Sequence, residues 1–244
     1  MLLPLSLASR AARALRGPAL LACISLWRPA QAQADAAAWR WHSTDADSGT
    51  QVWLQDRGDL PPAFRASTRV KARLSSLVSL LLDSASMPEW VYRTRSVRSL
   101  HQQSPQQGDS LVVTALPWPL DDREAVVSWR LQQSPATAVV TLSGRSVEST
   151  GQPWLPEPAA GRLRMPSFAS QWTLAPVAGA PGEVDVSFEG HGDPGGNLAL
   201  PLLRSFVNAA IWQAPLQTVI ALRRMVQRPM YRDAVLPFIT EPLP

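Results

Sequence analysis

The 244-residue chain has a single cysteine, three histidines and only 17% charged residues. With Cys23 as the sole thiol no intramolecular disulfide is possible, so a packed core must supply the stability. His42, His101 and His191 are scattered and form no pair at metal-ligand spacing, and we expect neither a metal nor a cofactor. The sequence also lacks a Gly-x-Ser-x-Gly nucleophile elbow and a lysine-containing phosphate loop, which removes two common signatures of catalysis.

An excess of charge is missing as well, once the N-terminus is set aside. Residues 1–34 hold four of the 23 basic residues and none of the 19 acidic residues, so the remaining chain carries 19 of each. A neutral domain has no electrostatic reason to bind a polyanion. We therefore expect no nucleic-acid partner.

Residues 1–34 have the composition of a secretory signal. Three arginines precede the apolar stretch Pro18–Trp27, which is far shorter than the ~20 residues of a membrane span. Small-x-small cleavage sites follow at Ala30–Ala32 and Ala32–Ala34. We predict an exported, periplasmic or secreted protein whose mature domain covers residues 35–244. A mitochondrial-type presequence or basic tail is the alternative, and a lipid anchor on Cys23 is disfavoured because the cleavage sites lie so close downstream.

Alternation of apolar and polar side chains predicts strands through the middle of the chain. It is clearest over Glu183–Glu189, where Val184, Val186 and Phe188 share one face. Further strands are predicted at residues 51–55, 63–70, 95–101, 110–116, 125–131, 137–142 and 168–174. We expect an antiparallel sheet of about seven to nine strands with one dry face.

Helical spacing of apolar residues predicts two helices. One spans Ala72–Ser84 and is expected to stop before Pro88, and a shorter helical turn is expected at Ala36–His42. A long C-terminal helix, Leu198–Met230, follows the turn Asp193–Gly196 and is expected to kink near Pro215. The order predicts an α+β fold in which the last helix lies across the sheet as a lid.

Three motifs resemble the steroidogenic acute regulatory protein-related lipid-transfer (START) family. They are Pro117–Val126, with its prolines, Arg123 and Glu124; Tyr92–Thr94; and Asp193–Gly196, with the helix that follows it. The resemblance extends from about Gly49 to Tyr231. Glu124 stands where the family usually has aspartate, and the export signal departs from its many cytosolic members.

The resemblance implies a helix-grip fold, a curved antiparallel sheet wrapped around a long C-terminal helix. It also implies a tunnel for one lipid or sterol-like molecule, without catalysis, in a monomer that contacts membranes transiently. Arg123 and Glu124 could place a charge in the tunnel, with Glu124, Asp122 or a ligand headgroup as the partner of the arginine, or Arg123 could cap the proline-rich turn.

The other candidate ligand contacts are aromatic side chains on strands and apolar residues of the last helix. They are Trp129, Trp172, Phe188, Leu202, Leu203, Phe206, Val207 and Ala210. Each aromatic residue could equally fill an ordinary core.

Trp154, Leu155 and Pro215 are candidates for a gate or a membrane contact. Trp154 and Leu155 could instead fold back over the sheet. Two other functions stay open: a polyketide cyclase/aromatase-like enzyme using the same cavity, and a ligand-free interaction module.

Overall fold

The computed structural model describes residues 38–147, 154–196 and 201–242. Within these ranges the chain forms ten strands and four helices. The strands are β1 (Arg40–Thr44), β2 (Gln51–Arg57), β3 (Leu60–Lys71), β4 (Thr94–Ser104), β5 (Gln107–Thr114), β6 (Asp122–Gln133), β7 (Val140–Ser146), β8 (Arg162–Arg164), β9 (Ser167–Pro176) and β10 (Glu183–Asp193). The helices are α1 (Leu74–Leu82), α2 (Met87–Trp90), α3 (Pro201–Met225) and α4 (Pro229–Arg232).

The strands form one sheet with the order β1-β2-β3-β10-β9-β7-β6-β5-β4, and β8 pairs with β6. Every pairing is antiparallel except that of β6 with β8. Strand β10 lies between β3 and β9, and it thereby joins the first three strands to the rest of the sheet. The strands β1 and β4 are the two edges.

Helices α1 and α3 cover the same face of the sheet. Helix α3 packs against β2, β3 and β10. Helix α1 buries Leu74, Leu77 and Val78 in a core that also contains Val186 of β10 and Leu222 of α3. Among the described helices, none is long and apolar enough to cross a bilayer.

The C-terminal tail holds α1 in place. Glu241 accepts hydrogen bonds from the backbone N–H groups of Leu74 and Ser75, at 2.9 and 2.8 Å. These donors have no partner within the helix, and a carboxylate suits the positive end of the helix dipole. Tyr231 of α4 donates a hydrogen bond to Asp83 at 2.7 Å just beyond the other end of α1. Burial raises the pKa of Tyr231, which keeps the hydroxyl proton in place.

Two predictions about the elements are wrong. The described part of Ala36–His42 is not helical, since β1 begins at Arg40 and pairs with β2. The sheet has ten strands instead of the expected seven to nine, since it also contains β1 and the three-residue β8, which the sequence pattern did not reveal. The first helix is confirmed with narrower bounds: α1 ends at Leu82, and Pro88 lies inside α2, where the first helical turn tolerates a residue without an N–H.

The helix does not break at Pro215, and a bend of its axis there stays a prediction. Helix α3 is continuous from Pro201 to Met225, with Pro215 inside it. Leu216, Val219 and Leu222 follow Pro215 on α3 and are buried. Their packing holds the helix against the sheet, although proline removes one hydrogen bond from the helix. The predicted start at Leu198 lies outside the described residues.

Because Leu222 is fully buried between α3 and the sheet, we expect Leu222→Ala to lower the free energy of unfolding by about 2–5 kcal/mol. Urea denaturation measures this change. Gln217→Ala is the matched control, since Gln217 is exposed on the same helix, and it should change stability by about 0.5 kcal/mol or less. Equal effects of the two substitutions would mean that α3 does not depend on this contact.

Candidate ligand cavity

A cavity of about 190 Å³ lies between the inner face of the sheet and the α1–α2 segment. Counted out to the solvent at its mouth, the empty space reaches about 980 Å³. Its apolar walls come from α1, α2 and six strands. They are Leu81, Leu82, Met87, Trp90, Val91, Val97, Val112, Val127, Trp129, Leu142, Phe168, Trp172 and Phe188.

Strand alternation decides which side chains reach the cavity. On β5, Val112 lines the cavity, whereas Leu111 and Val113 belong to a separate apolar cluster on the outer face. On β6, Val127 lines the cavity and Val126 joins the outer cluster. Because side chains alternate between the two faces of a strand, this part of the sheet has one apolar surface that lines the cavity and another that belongs to the outer cluster.

A row of aromatic rings forms one wall. Phe188 and Trp172 are stacked with ring centroids 4.1 Å apart and planes 10° apart. Trp172 also meets Trp90 of α2 at 6.0 Å, and Phe64 meets Phe188 at 5.1 Å. Such pairs add directional attraction to the burial of large rings. The row links β3 to α2 across the sheet.

The polar groups of the cavity are neutral hydroxyls, amides and indoles. Trp129 Nε1 donates to Ser110 Oγ at 3.2 Å. Ser99 and Gln102 line the cavity and are exposed on the edge strand β4, so the cavity reaches solvent at this edge. Trp90 Nε1 is buried without a partner among the described residues.

Three of the predicted aromatic contacts, Trp129, Trp172 and Phe188, lie in the cavity wall. Their contact with a ligand stays a prediction. Met87 and Trp90 of α2 also line the cavity and were not among the predicted contacts. The proline at the start of α2 was the available signal.

The C-terminal helix does not cover this cavity with the side chains that the structure describes. Val207 is half-buried in a groove beside the β2–β3 turn, and Ala210 and Pro215 are not among the lining residues. The side chains of Leu202, Leu203 and Phe206 lie outside the described residues. Among the described side chains, those of α1 and α2 cover the cavity, and the contact of Leu202, Leu203 and Phe206 with a ligand stays a prediction. Phe64 packs against Gly190 and Phe188 on the side of the cavity nearest α3.

Arg123 is 5% exposed, and its partners differ from the anions that we expected. Its Nε donates to the carbonyl of Pro194 and its Nη1 to the carbonyl of Asp121, both at 2.6 Å. Burial lowers the pKa of Arg123, and the negative charge of Asp121 partly opposes this shift. Arg123 therefore ties the start of β6 to the turn that precedes α3, and it does not line the cavity.

Glu124 is 1% exposed and also lies outside the cavity. Its carboxylate accepts hydrogen bonds from Arg164 Nη2 at 2.7 Å and Nε at 3.1 Å, and Arg162 lies 3.7 Å away. Arg164 also donates to the carbonyl of Pro156. The sequence did not reveal these partners because β8 is too short to show a pattern. The network fixes the loop before β8 to β6.

Trp154 and Leu155 pack on the outer face of the sheet, in the cluster formed by Leu111, Val113 and Val126. The ring of His101 stacks on Trp154 at 6.1 Å. This is the folded-back arrangement that the sequence analysis left open, and it puts both residues on the opposite side of the sheet from the cavity. It differs from the exposed loop tip that a gate or membrane contact requires.

The described residues contain no group of three or more His, Cys, Asp or Glu side chains that could hold a metal ion. His101 lies 3.3 Å from Asp109, and His42 packs beside Trp212. Burial, together with the nearby Arg57 and Arg145, lowers the pKa of His191 and favours its neutral form.

The fold resembles solved lipid-transfer proteins. A STAR-related lipid transfer protein from Xanthomonas axonopodis matches with a TM-score of 0.65 and 24% identity, covering 78% of this chain and 99% of that one. Human StAR-related lipid transfer protein 5 matches with a TM-score of 0.62 and 16% identity, covering 81% and 90%. In sequence, the chain is 24% identical over 195 residues to an uncharacterized protein of Pseudomonas aeruginosa, over 80% of this chain and 90% of that protein. No protein-family model matches the chain.

These similarities and the sheet order confirm the predicted fold class. The chain has the α+β helix-grip fold of START domains, with an antiparallel sheet and a long C-terminal helix. At these identities the likeness extends to the fold, and the ligand must be argued from the cavity itself.

Breaking the Glu124–Arg164 pair should destabilise the protein strongly. Glu124→Gln leaves Arg164 largely buried without its anion, and we expect a loss of about 3–5 kcal/mol in the free energy of unfolding. Chemical denaturation measures it. The control is Glu89→Gln, whose pair with Arg228 is about half exposed and should contribute about 1 kcal/mol or less. A loss at Glu124 no larger than that of the control would contradict this role.

Proposed function

We propose that this protein binds one hydrophobic molecule in the cavity beneath α1 and α2 and carries or presents it. The observation that carries the proposal is an incompletely filled, largely apolar space in a START-type fold. Removing apolar ligand surface from water contributes about 25 cal/mol per Å², so burial in these walls can bind a ligand tightly with few hydrogen bonds. The solved relatives named above are lipid-transfer proteins, which supports the same function here.

The size of the space constrains how a ligand fits. The enclosed 190 Å³ is below the ~300–1,000 Å³ of typical ligand pockets, whereas the space out to the mouth is about 980 Å³. A lipid or sterol-like molecule therefore occupies the enclosed part and extends through the mouth at β4. The described part of α3 lies away from this route.

The cyclase/aromatase alternative receives no support from the cavity chemistry. General acid–base catalysis needs a titratable side chain within reach of the substrate. The described lining is made of apolar residues, serines, one threonine, one glutamine and one glycine. The cavity is instead suited to binding a hydrophobic ligand. We therefore propose a carrier without catalytic activity in place of an enzyme or a solid interaction module.

Filling the cavity should abolish binding. Val112→Phe adds volume to the inner face of β5, and we expect native mass spectrometry to show at least about a tenfold drop in the lipid-bound fraction. Leu111→Phe is the matched control, because the neighbouring side chain lies on the outer face. It should cost comparable stability and leave the adduct in place. A wild-type protein that never carries a lipid-sized adduct would overturn the proposal.

We also propose that the protein is exported after loss of residues 1–34, acts as a monomer and contacts membranes transiently. The aromatic residue suited to such a contact is Trp118, which is 92% exposed on the turn between β5 and β6. An exposed tryptophan favours the membrane–water interface. Trp154, by comparison, is half-buried on the outer face of the sheet.

Trp118→Ser should reduce sedimentation with phosphatidylethanolamine/phosphatidylglycerol vesicles several-fold, because the exposed indole is lost from the interface. Trp41→Ser is the control, since Trp41 is 64% exposed on the opposite edge strand of the sheet. It should sediment like the wild type. Unchanged sedimentation of Trp118→Ser would argue against this contact.

A further inference from the structure

Four neutral polar side chains form a band across the floor of the cavity. This polar band consists of Ser99 and Gln102 of β4, Ser110 of β5 and Ser170 of β9. Ser99 is registered opposite Ser110. Strands β6 and β7 lie between Ser110 and Ser170 and contribute Val127, Trp129 and Gly144 there, so Ser170 is separated from the other three side chains. The band thus runs from the mouth at β4 toward the aromatic wall.

The charged residues next to the lining positions point to the other face. On β4, Arg98 and His101 alternate with the lining residues, and on β5 Asp109 precedes Ser110 and pairs with His101. Arg130 and Arg145 likewise follow inward-facing positions on β6 and β7, and both are exposed. These charged side chains therefore lie on the outer face, which also carries the apolar cluster described above, and the described lining of the inner face is uncharged.

This separation selects among ligands. An ionised headgroup in the enclosed part of the cavity, beside the buried Ser110, would lose its hydration and find no counter-charge in the described lining, which is costly. A hydroxyl or carbonyl finds matching partners, since serine and glutamine side chains both donate and accept hydrogen bonds.

We infer that the cavity takes an uncharged amphiphile, with its hydrocarbon against Leu142, Trp172 and Phe188 and a hydroxyl or carbonyl group on the polar band. This inference rests on the proposed binding function and narrows it to one ligand class. The buried indole N–H of Trp90, which has no partner among the described residues, adds a neutral donor to the same lining.

The test compares two probes with the same acyl chains and different headgroups. Binding of 1,2-dioctanoylglycerol and of 1,2-dioctanoyl phosphatidate to the full-length mature protein is measured by titration calorimetry below their aggregation limits. We expect the diacylglycerol to bind at least tenfold more tightly. Equal or tighter binding of the phosphatidate would overturn the inference while leaving the carrier function intact. If neither probe binds and the purified protein carries no lipid adduct, the proposed function itself fails.

Two variants at Ser170 make the test specific to the polar band. Ser170→Ala should weaken diacylglycerol binding several-fold, and Ser170→Lys should shift the preference toward phosphatidate by supplying a cation. Gln171→Ala is the control, because Gln171 is exposed on the opposite face of β9. Thermal unfolding checks that each variant is folded, and Ser170→Ala alone suffices if the lysine variant does not fold. Diacylglycerol affinity unchanged in Ser170→Ala would contradict the role of the band.

Discussion

The inner face of the sheet is too large for one helix to cover, and this constraint organises the molecule. Helix α3 covers β2, β3 and β10, while α1 covers the neighbouring core around Leu174 and Val186. Beyond α1, the short helix α2 ends at Trp90, whose ring packs against the ring of Trp172. The space left in front of β4–β7 is the cavity. The hollow thus reflects how far the helices reach.

Buried charge is used at the margins of the fold and kept out of the cavity. Arg123 holds the turn before α3, and Glu124 with Arg164 holds the loop before β8. Both networks lie at the start of β6, a few residues before the lining residue Val127. Arg123 is satisfied by backbone carbonyls and Glu124 by Arg164, so both networks fix segments beside the cavity without adding charge to its described lining.

Much of the fold could be predicted from the sequence, and part of the site could not. Apolar patterning located the strands β2–β7, β9 and β10, although β5 and β6 carry apolar side chains on both faces. It missed β8, which is three residues long, and β1, whose Trp41 is exposed. The aromatic residues Trp129, Trp172 and Phe188 were identified as candidate contacts and lie in the cavity wall, but the assignment of Val207 and Ala210 to the same wall assumed that the longest helix is the cover.

The sequence alone determined local periodicity, the neutral charge balance of residues 35–244 and the strand–turn–helix order at the C-terminus. These properties follow from residue type and spacing, which are local quantities. Only the tertiary structure decided that Arg123 meets Pro194, that Trp154 lies behind the sheet, and that α2 faces the empty space. Each depends on strand order and register, which bring residues far apart in the chain into contact and which periodicity does not encode.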